Sequence, residues 1–316
     1  MQKPMVSIIV NCYNGSTTLK RALDSIFAQS YKDWEIIFWD NNSIDASAEI
    51  AISYGKKIKY YKSEKTTILG AARGMALEKC SGKYVAFLDC DDIWYPSKLE
   101  LQIAKIEGSN YIVCYAGVKE ITSDGDIIRS IIPKYKDGHQ FRDHLKQFEI
   151  NMVTPLINLA AMKLNNITFD ENIVASAEYN IFMRLALVGE FCSVKEILGE
   201  WTVYENSLTN QSIESWSKDR RHTLDRIKSE NLDIIKLYPK ELGIAYGGSD
   251  YYEARYLISC DKWKEARGLL RNNALRTKTF FILWLLSMIP SLWRLLHNER
   301  IKRMLSMHVL RKSKSA

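Results

Sequence analysis

The sequence predicts an α/β fold, with a mostly parallel central sheet, flanking helices and a C-terminal helical extension. Three observations carry this reading. Short, nearly continuous apolar runs at residues 6–11, 35–40, 57–61, 84–89 and 111–117 read as strands buried on both faces. Helical patterns separate them, and repeated strand–helix–strand units close by right-handed crossovers into a parallel sheet. The 316 residues are 47% apolar and 26% charged, enough for a sizeable core, and six prolines and 15 glycines exclude collagen-like or low-complexity character.

Each element follows in order. After the first strand, a helix over residues 16–29 places Leu19, Ala22, Leu23, Ile26 and Phe27 on one face. The second strand ends at Asp40, and Asp45 is the N-cap signal for a helix to residue 54. The third strand leads into an Ala-rich helix over residues 68–80, which Ser81-Gly82 ends. After the strand at 84–89, Pro96 suits the first turn of a helix running to about Gly108. Asp124-Gly125-Asp126 reads as a hairpin turn before 127–132. Helical segments follow at 139–149, 178–188, 216–237 and 250–275, the last breaking near Cys260-Asp261.

Charge is uneven. The net charge is +7, yet residues 276–316 hold nine Lys/Arg and one acid, Glu299. The body is therefore near neutral, which argues against a broad nucleic-acid-binding surface. Residues 279–293 carry no charge and are interrupted by Pro290, a run shorter than the roughly 20 residues of a spanning helix. Ile301, Met304, Leu305, His308 and Val309 then form a helical stripe flanked by Arg300, Lys302 and Arg303. This pattern suits an anionic membrane face, and also a helix packed on the core with a solvated basic side. The six cysteines form no CxxC pair and read as reduced, mostly buried thiols of a cytosolic protein. No signal-peptide pattern opens the chain. His139 and His144 lack an acidic or thiol cluster and read as ordinary polar residues.

Chemistry gathers at the strand ends, where open parallel sheets bind ligands. Strand one ends in Asn11-Cys12-Tyr13-Asn14-Gly15, strand two in Asp40-Asn41-Asn42-Ser43, and strand four in Asp89-Cys90-Asp91-Asp92. An apolar strand that delivers three carboxylates to its tip needs a neutralising cation. Asp89 and Asp91 could ligate Mg²⁺ or Mn²⁺ through hard oxygens. Asp92 reads equally as a cap for the following helix. No GxGxxG follows strand one, and neither GxxxxGK[ST] nor GxSxG is present.

These motifs, with Gly70-Ala71-Ala72-Arg73, Trp94, Pro96, Lys98-Leu99 and a weaker match around Glu178-Tyr179-Asn180, resemble the family 2 inverting glycosyltransferases, with a GT-A (Rossmann-like) fold. The resemblance covers about the first 210 residues. It implies that Tyr13 stacks on the nucleotide base beside the Asn11 backbone and that Asp40 accepts a base N–H. Arg73 would face the diphosphate, Asp89 and Asp91 would hold the ribose and a divalent metal, and Glu178 would act as catalytic base. The segment 170–172 competes for that last role. The implied organisation is a nucleotide-sugar and catalytic domain at 1–210, a helical appendage at 211–275 and a membrane-associating tail at 276–316. The implied activity is transfer from a nucleotide-diphosphate sugar, a UDP-sugar first, to a lipid-linked or saccharide acceptor. It would serve assembly of cell-surface polysaccharide such as lipopolysaccharide or capsule, on the inner face of the membrane. A sugar nucleotidyltransferase and an inactive nucleotide-binding scaffold are the alternatives.

Overall fold

The computed structural model describes residues 3–204 and 212–297. The first half runs β1 (Val6–Cys12), α1 (Leu19–Phe27), β2 (Trp34–Asp40), α2 (Ser47–Ser53), β3 (Ile58–Lys62), α3 (Leu69–Leu77) and β4 (Tyr84–Asp89). It continues with β5 (Ile93–Trp94), α4 (Lys98–Ile106), β6 (Tyr111–Thr122), β7 (Ile127–Ile131) and α5 (Phe141–Lys146). Next come β8 (Leu156–Asn158), α6 (Leu159–Leu164), α7 (Ala177–Val188) and β9 (Glu190–Val203). The extension holds α8 (Ile213–Glu230), α9 (Ile234–Leu237), α10 (Pro239–Ser259), α11 (Trp263–Asn273), α12 (Lys278–Ser287) and α13 (Pro290–His297).

The strands form one sheet in the order β3-β2-β1-β4-β8-β6-β9-β5, with β7 paired to β6. The half β3-β2-β1-β4 is wholly parallel, as the βαβ pattern requires. The other half is mixed: β8 runs antiparallel to β4 and β6, and β9 runs parallel to β6. Three strands have no counterpart in the sequence reading: β5, β8 and β9. The first two are only two and three residues long. The third carries Lys195 and Glu196 mid-strand and pairs with β6 through register shifts, which blurs its apolar pattern.

Both faces of the parallel half are covered, which explains its unbroken apolar runs. Ile8, Val10, Ile36 and Phe38 pack under Leu19, Leu23 and Ile26 of α1 and Leu99 of α4. Ile9, Ile37, Val85 and Phe87 point the other way, toward Ala72 and Ala76 of α3 and the apolar side of α7. The two-residue alternation of strand side chains produces this division. Each fully buried Leu or Ile here contributes about 1.5–3 kcal/mol.

The extension folds back on the sheet domain. Leu224, Ile227, Leu242 and Ala245 join the core beneath α7. The break near Cys260-Asp261 is a turn in which Asp261 takes a φ of 61°. Pro290 starts a separate helix, so the uncharged run is two short helices, α12 and α13. Trp293 and Phe280 anchor them, while Ile282, Leu285, Met288, Ile289, Leu292 and Leu295 remain exposed. Among the described residues, no helix is long and apolar enough to cross a membrane. The stripe at 301–309 lies outside the described residues.

Candidate active site

Parallel register sets the site. Asn11 pairs with both Trp39 and Asp89, and Cys12 pairs with Asp40, so β1, β2 and β4 end together. Two asparagines then turn the chain through the left-handed region, Asn14 at φ 50° and Asn42 at φ 70°, a conformation short polar side chains tolerate. The loops lock to each other: Asn14 N–H donates to Ser43 Oγ, and Ile44 N–H donates to Asn14 Oδ1. Gly15 is required for close approach, because a Cβ there would lie 2.7 Å from Cys90 Sγ and 2.8 Å from Cys12 Sγ. Tyr13 is left 53% exposed at the rim, free to meet a planar ligand.

Asp40 is wholly buried at the end of β2. Its carboxylate accepts from Ser43 N–H at 2.7 Å and Tyr60 OH at 2.5 Å. Arg73, on α3 and 3% exposed, donates from Nη2 to both oxygens of Asp89, at 2.8 and 2.7 Å. The Arg73 Nε, both amide atoms of Asn11 and Trp39 Nε1 are buried without a partner among the described residues. These orphaned groups cluster where β1, β2 and α3 meet, as expected where a ligand or water completes the bonding.

Asp91 sits beside this pair. Burial, and then the Asp89 charge, push its carboxyl up to about 6. Its carbonyl accepts from Thr202 Oγ1 at 2.7 Å and Arg21 Nη2 at 3.0 Å. Asp92 is buried, not a helix cap: its carboxyl accepts from Thr202 N–H at 2.9 Å and is raised by burial and by Asp91. Ser97 takes the cap position of α4 instead. Arg21 and Thr202 were not legible as site residues, because their role is to hold the main chain of the acidic loop.

Glu178 stands in the first turn of α7, half-buried. Burial raises its pKa against the opposing pull of Arg73 and Arg220, with Asp89 adding to the rise. Arg73, Asp89 and Glu178 therefore share one electrostatic neighbourhood. The competing Asp170 is differently placed. Although burial alone would raise it, the Asn172 N–H and His222 hold its carboxyl below the usual range, and Arg226 pairs with it at 3.1 Å. A carboxylate so fully engaged is a poor base.

A divalent cation fits the acidic tip in one specific way. Among the described residues no cluster of three or more His, Cys, Asp or Glu is built to hold a metal alone. Asp89 is already neutralised by Arg73, whereas Asp91 has no ion pair among the described residues and a raised pKa. Such a donor set suits Mg²⁺ or Mn²⁺ held by one or two carboxylates and completed by substrate phosphates.

The chain is similar to known glycosyltransferases. The profile of "Glycosyl transferase family 2" matches residues 7–165. An uncharacterised glycosyltransferase of Rickettsia typhi is 29% identical over 219 residues, covering 66% of this chain and 67% of that protein. The Escherichia coli UDP-Glc:alpha-D-GlcNAc-diphosphoundecaprenol beta-1,3-glucosyltransferase WfgD is 31% identical over 135 residues, 42% of this chain and 53% of that one. The crystal structure of Staphylococcus aureus TarS residues 1–349 with UDP-GlcNAc superposes with a TM-score of 0.69 at 19% identity, covering 99% of this chain and 92% of that one. The fold and the family match thus define a GT-A glycosyltransferase. The chain belongs to glycosyl transferase family 2.

Proposed function

We propose that the protein transfers a sugar from a nucleotide-diphosphate donor, a UDP-sugar first, to a lipid-linked or saccharide acceptor, with inversion at the anomeric carbon. The observation that carries this is the shared neighbourhood of the Arg73–Asp89 pair, the Asp91 carboxyl raised by burial and by Asp89, and the half-buried Glu178. Tyr13 stacks on the base at the rim, and the Asn11 backbone lines that pocket. Asp40, wholly buried here, would take the base N–H on a lone pair left free by Ser43 and Tyr60 once the loop after β2 opens. Asp89 orients the ribose, and Arg73 faces the diphosphate while fixing Asp89. Asp91, with Asp89 beside it, would hold the Mn²⁺ or Mg²⁺. When bound, the cation supplies Lewis-acid stabilisation of the departing nucleoside diphosphate.

Glu178 takes the proton from the acceptor hydroxyl as that oxygen attacks the anomeric carbon from the face opposite the leaving group. A raised pKa suits this, because a stronger base shares more of the proton at the transition state. One displacement with one base leaves the anomeric centre inverted.

The acceptor side follows from the extension. The exposed apolar face of α12 and α13, next to a basic C-terminal sequence, suits peripheral contact with the inner, anionic membrane face. A lipid-linked acceptor there fits assembly of cell-surface polysaccharide, and WfgD's name prints such an acceptor, alpha-D-GlcNAc-diphosphoundecaprenol. The test is turnover of purified protein with Mn²⁺ on UDP-, GDP- and dTDP-sugars with saccharide and lipid-linked acceptors. Transfer abolished in Glu178→Gln supports the reading. Absence of both transfer and hydrolysis with every donor overturns it.

A further inference from the structure

Resting on the reading of Glu178 as base, we infer that Arg220 on α8 binds the phosphate of a lipid-diphosphate acceptor. Arg220 thereby makes the helical appendage half of the active site. Its guanidinium lies 3.8 Å over the ring of Tyr179, the residue next to Glu178, and 5.2 Å over Tyr252 of α10. It is close enough to Glu178 to act on that carboxyl's charge. Yet Arg220 has no ion pair among the described residues, and its Nε is buried without a partner in the chain. The neighbouring Arg221, by contrast, pairs with Asp250. A half-buried guanidinium stacked on aromatic rings and left without an anion is a prepared anion site.

The surroundings say what carries that anion. Tyr252 packs on Tyr251, with centroids 5.5 Å apart, and Tyr251 packs on Trp293 of α13 at 6.3 Å. Tyr251 Oη also meets His297 Nε2 at 2.8 Å. Aromatic contacts thus lead from Arg220 through half-buried Tyr252 and Tyr251 to buried Trp293, which seats the helices whose outer apolar faces are exposed. An acceptor whose lipid lies along those helices, whose phosphate meets Arg220 and whose sugar hydroxyl reaches Glu178 matches this arrangement. The donor diphosphate would have its own cations, Arg73 and the metal that Asp91 would hold.

The experiment is calorimetry of the full chain in detergent with farnesyl diphosphate, farnesol and UDP, on wild type, Arg220→Gln, Arg220→Lys and Asp91→Ala. Wild type binds farnesyl diphosphate far better than farnesol. Arg220→Gln weakens that binding at least about ten-fold and keeps UDP affinity, which also shows that it folds. Arg220→Lys recovers part of the loss, and Asp91→Ala leaves farnesyl diphosphate binding intact. Unchanged affinity in Arg220→Gln, an equal loss of UDP, or no binding by wild type overturns the proposal. The base reading is tested separately by transfer in Glu178→Gln, so the two can fail independently.

Discussion

Arg73 of α3 grips Asp89 at the tip of β4 through a single nitrogen that meets both carboxylate oxygens. The arginine is almost fully buried and the aspartate is 31% exposed, so the pair faces the site from inside the core. It ties a helix to the strand that delivers the acidic loop, and among the described residues it leaves Asp91 and Asp92 without an ion pair.

Removing the guanidinium should unfasten that arrangement. Arg73→Ala leaves Asp89 half-buried and uncompensated next to Asp91, at an expected loss of about 2–3 kcal/mol. Urea unfolding measures the stability, and UDP titration should show weakened binding in the same variant.

Asp91→Asn should behave in the opposite sense for stability. The folded-state pKa of Asp91, about 6, lies above its ordinary 3.8, so the folded protein binds more protons between these values. Stability from this group is present below pH 4 and is lost as pH rises to 6. Without metal, Asp91→Asn should therefore be about 1–2 kcal/mol more stable than wild type at pH 7, and the gap should close below pH 4. Metal-dependent nucleotide binding should be lost at every pH.

His144 supplies the opposite slope. Burial lowers its pKa to about 4 from the ordinary 6.5, and both ring nitrogens lack partners among the described residues. It packs as a neutral ring against Tyr135, Phe148 and Phe191. The unfolded chain takes up the proton first, so stability present above pH 6.5 is lost as pH falls toward 4, by up to about 3 kcal/mol. His144→Phe should remove this part of the acid sensitivity in urea melts across that range, and an unchanged slope would contradict the assignment.

Gly15→Ala tests the close packing of the first loop. The new methyl would collide with the thiols of Cys12 and Cys90, at about 1–3 kcal/mol for the overpacking. Because the same loop carries Tyr13, nucleotide affinity should fall along with the melting temperature.

The membrane face can be tested without touching the core. Ile282 and Leu285 are 54% and 43% exposed, so Ile282→Glu with Leu285→Glu should leave the melting temperature unchanged. Co-sedimentation with phosphatidylglycerol vesicles should drop in this variant, as it should on deletion of residues 279–316. Equal sedimentation of all three proteins would reject the membrane reading and leave the donor site untouched.

The parallel half of the fold was legible because each strand there is buried on both faces and writes an unbroken apolar run. The strand ends were legible too, since carboxylates such as Asp89 and Asp91 after Phe87-Leu88 are out of place without a purpose. The mixed half was not: β8 is three residues long, and β9 interrupts its own pattern with charges. Asp92 shows a further limit, because its partner is the main chain of Thr202, which no side-chain motif announces. Arg220 belongs to no motif and sits on a helix dense with charge. Only the packing of α8 on α7 brings it over Tyr179 and beside Glu178.

The central claim is a metal-assisted nucleotide-sugar site at the ends of β1, β2 and β4. Calorimetric titration of UDP, GDP and dTDP, with and without Mn²⁺, on wild type and Asp91→Ala tests it most directly. The account predicts that one diphosphate, UDP first, binds wild type in a metal-dependent way and that Asp91→Ala abolishes this binding. Binding of none of the three by wild type, or equal binding by both proteins, would contradict it.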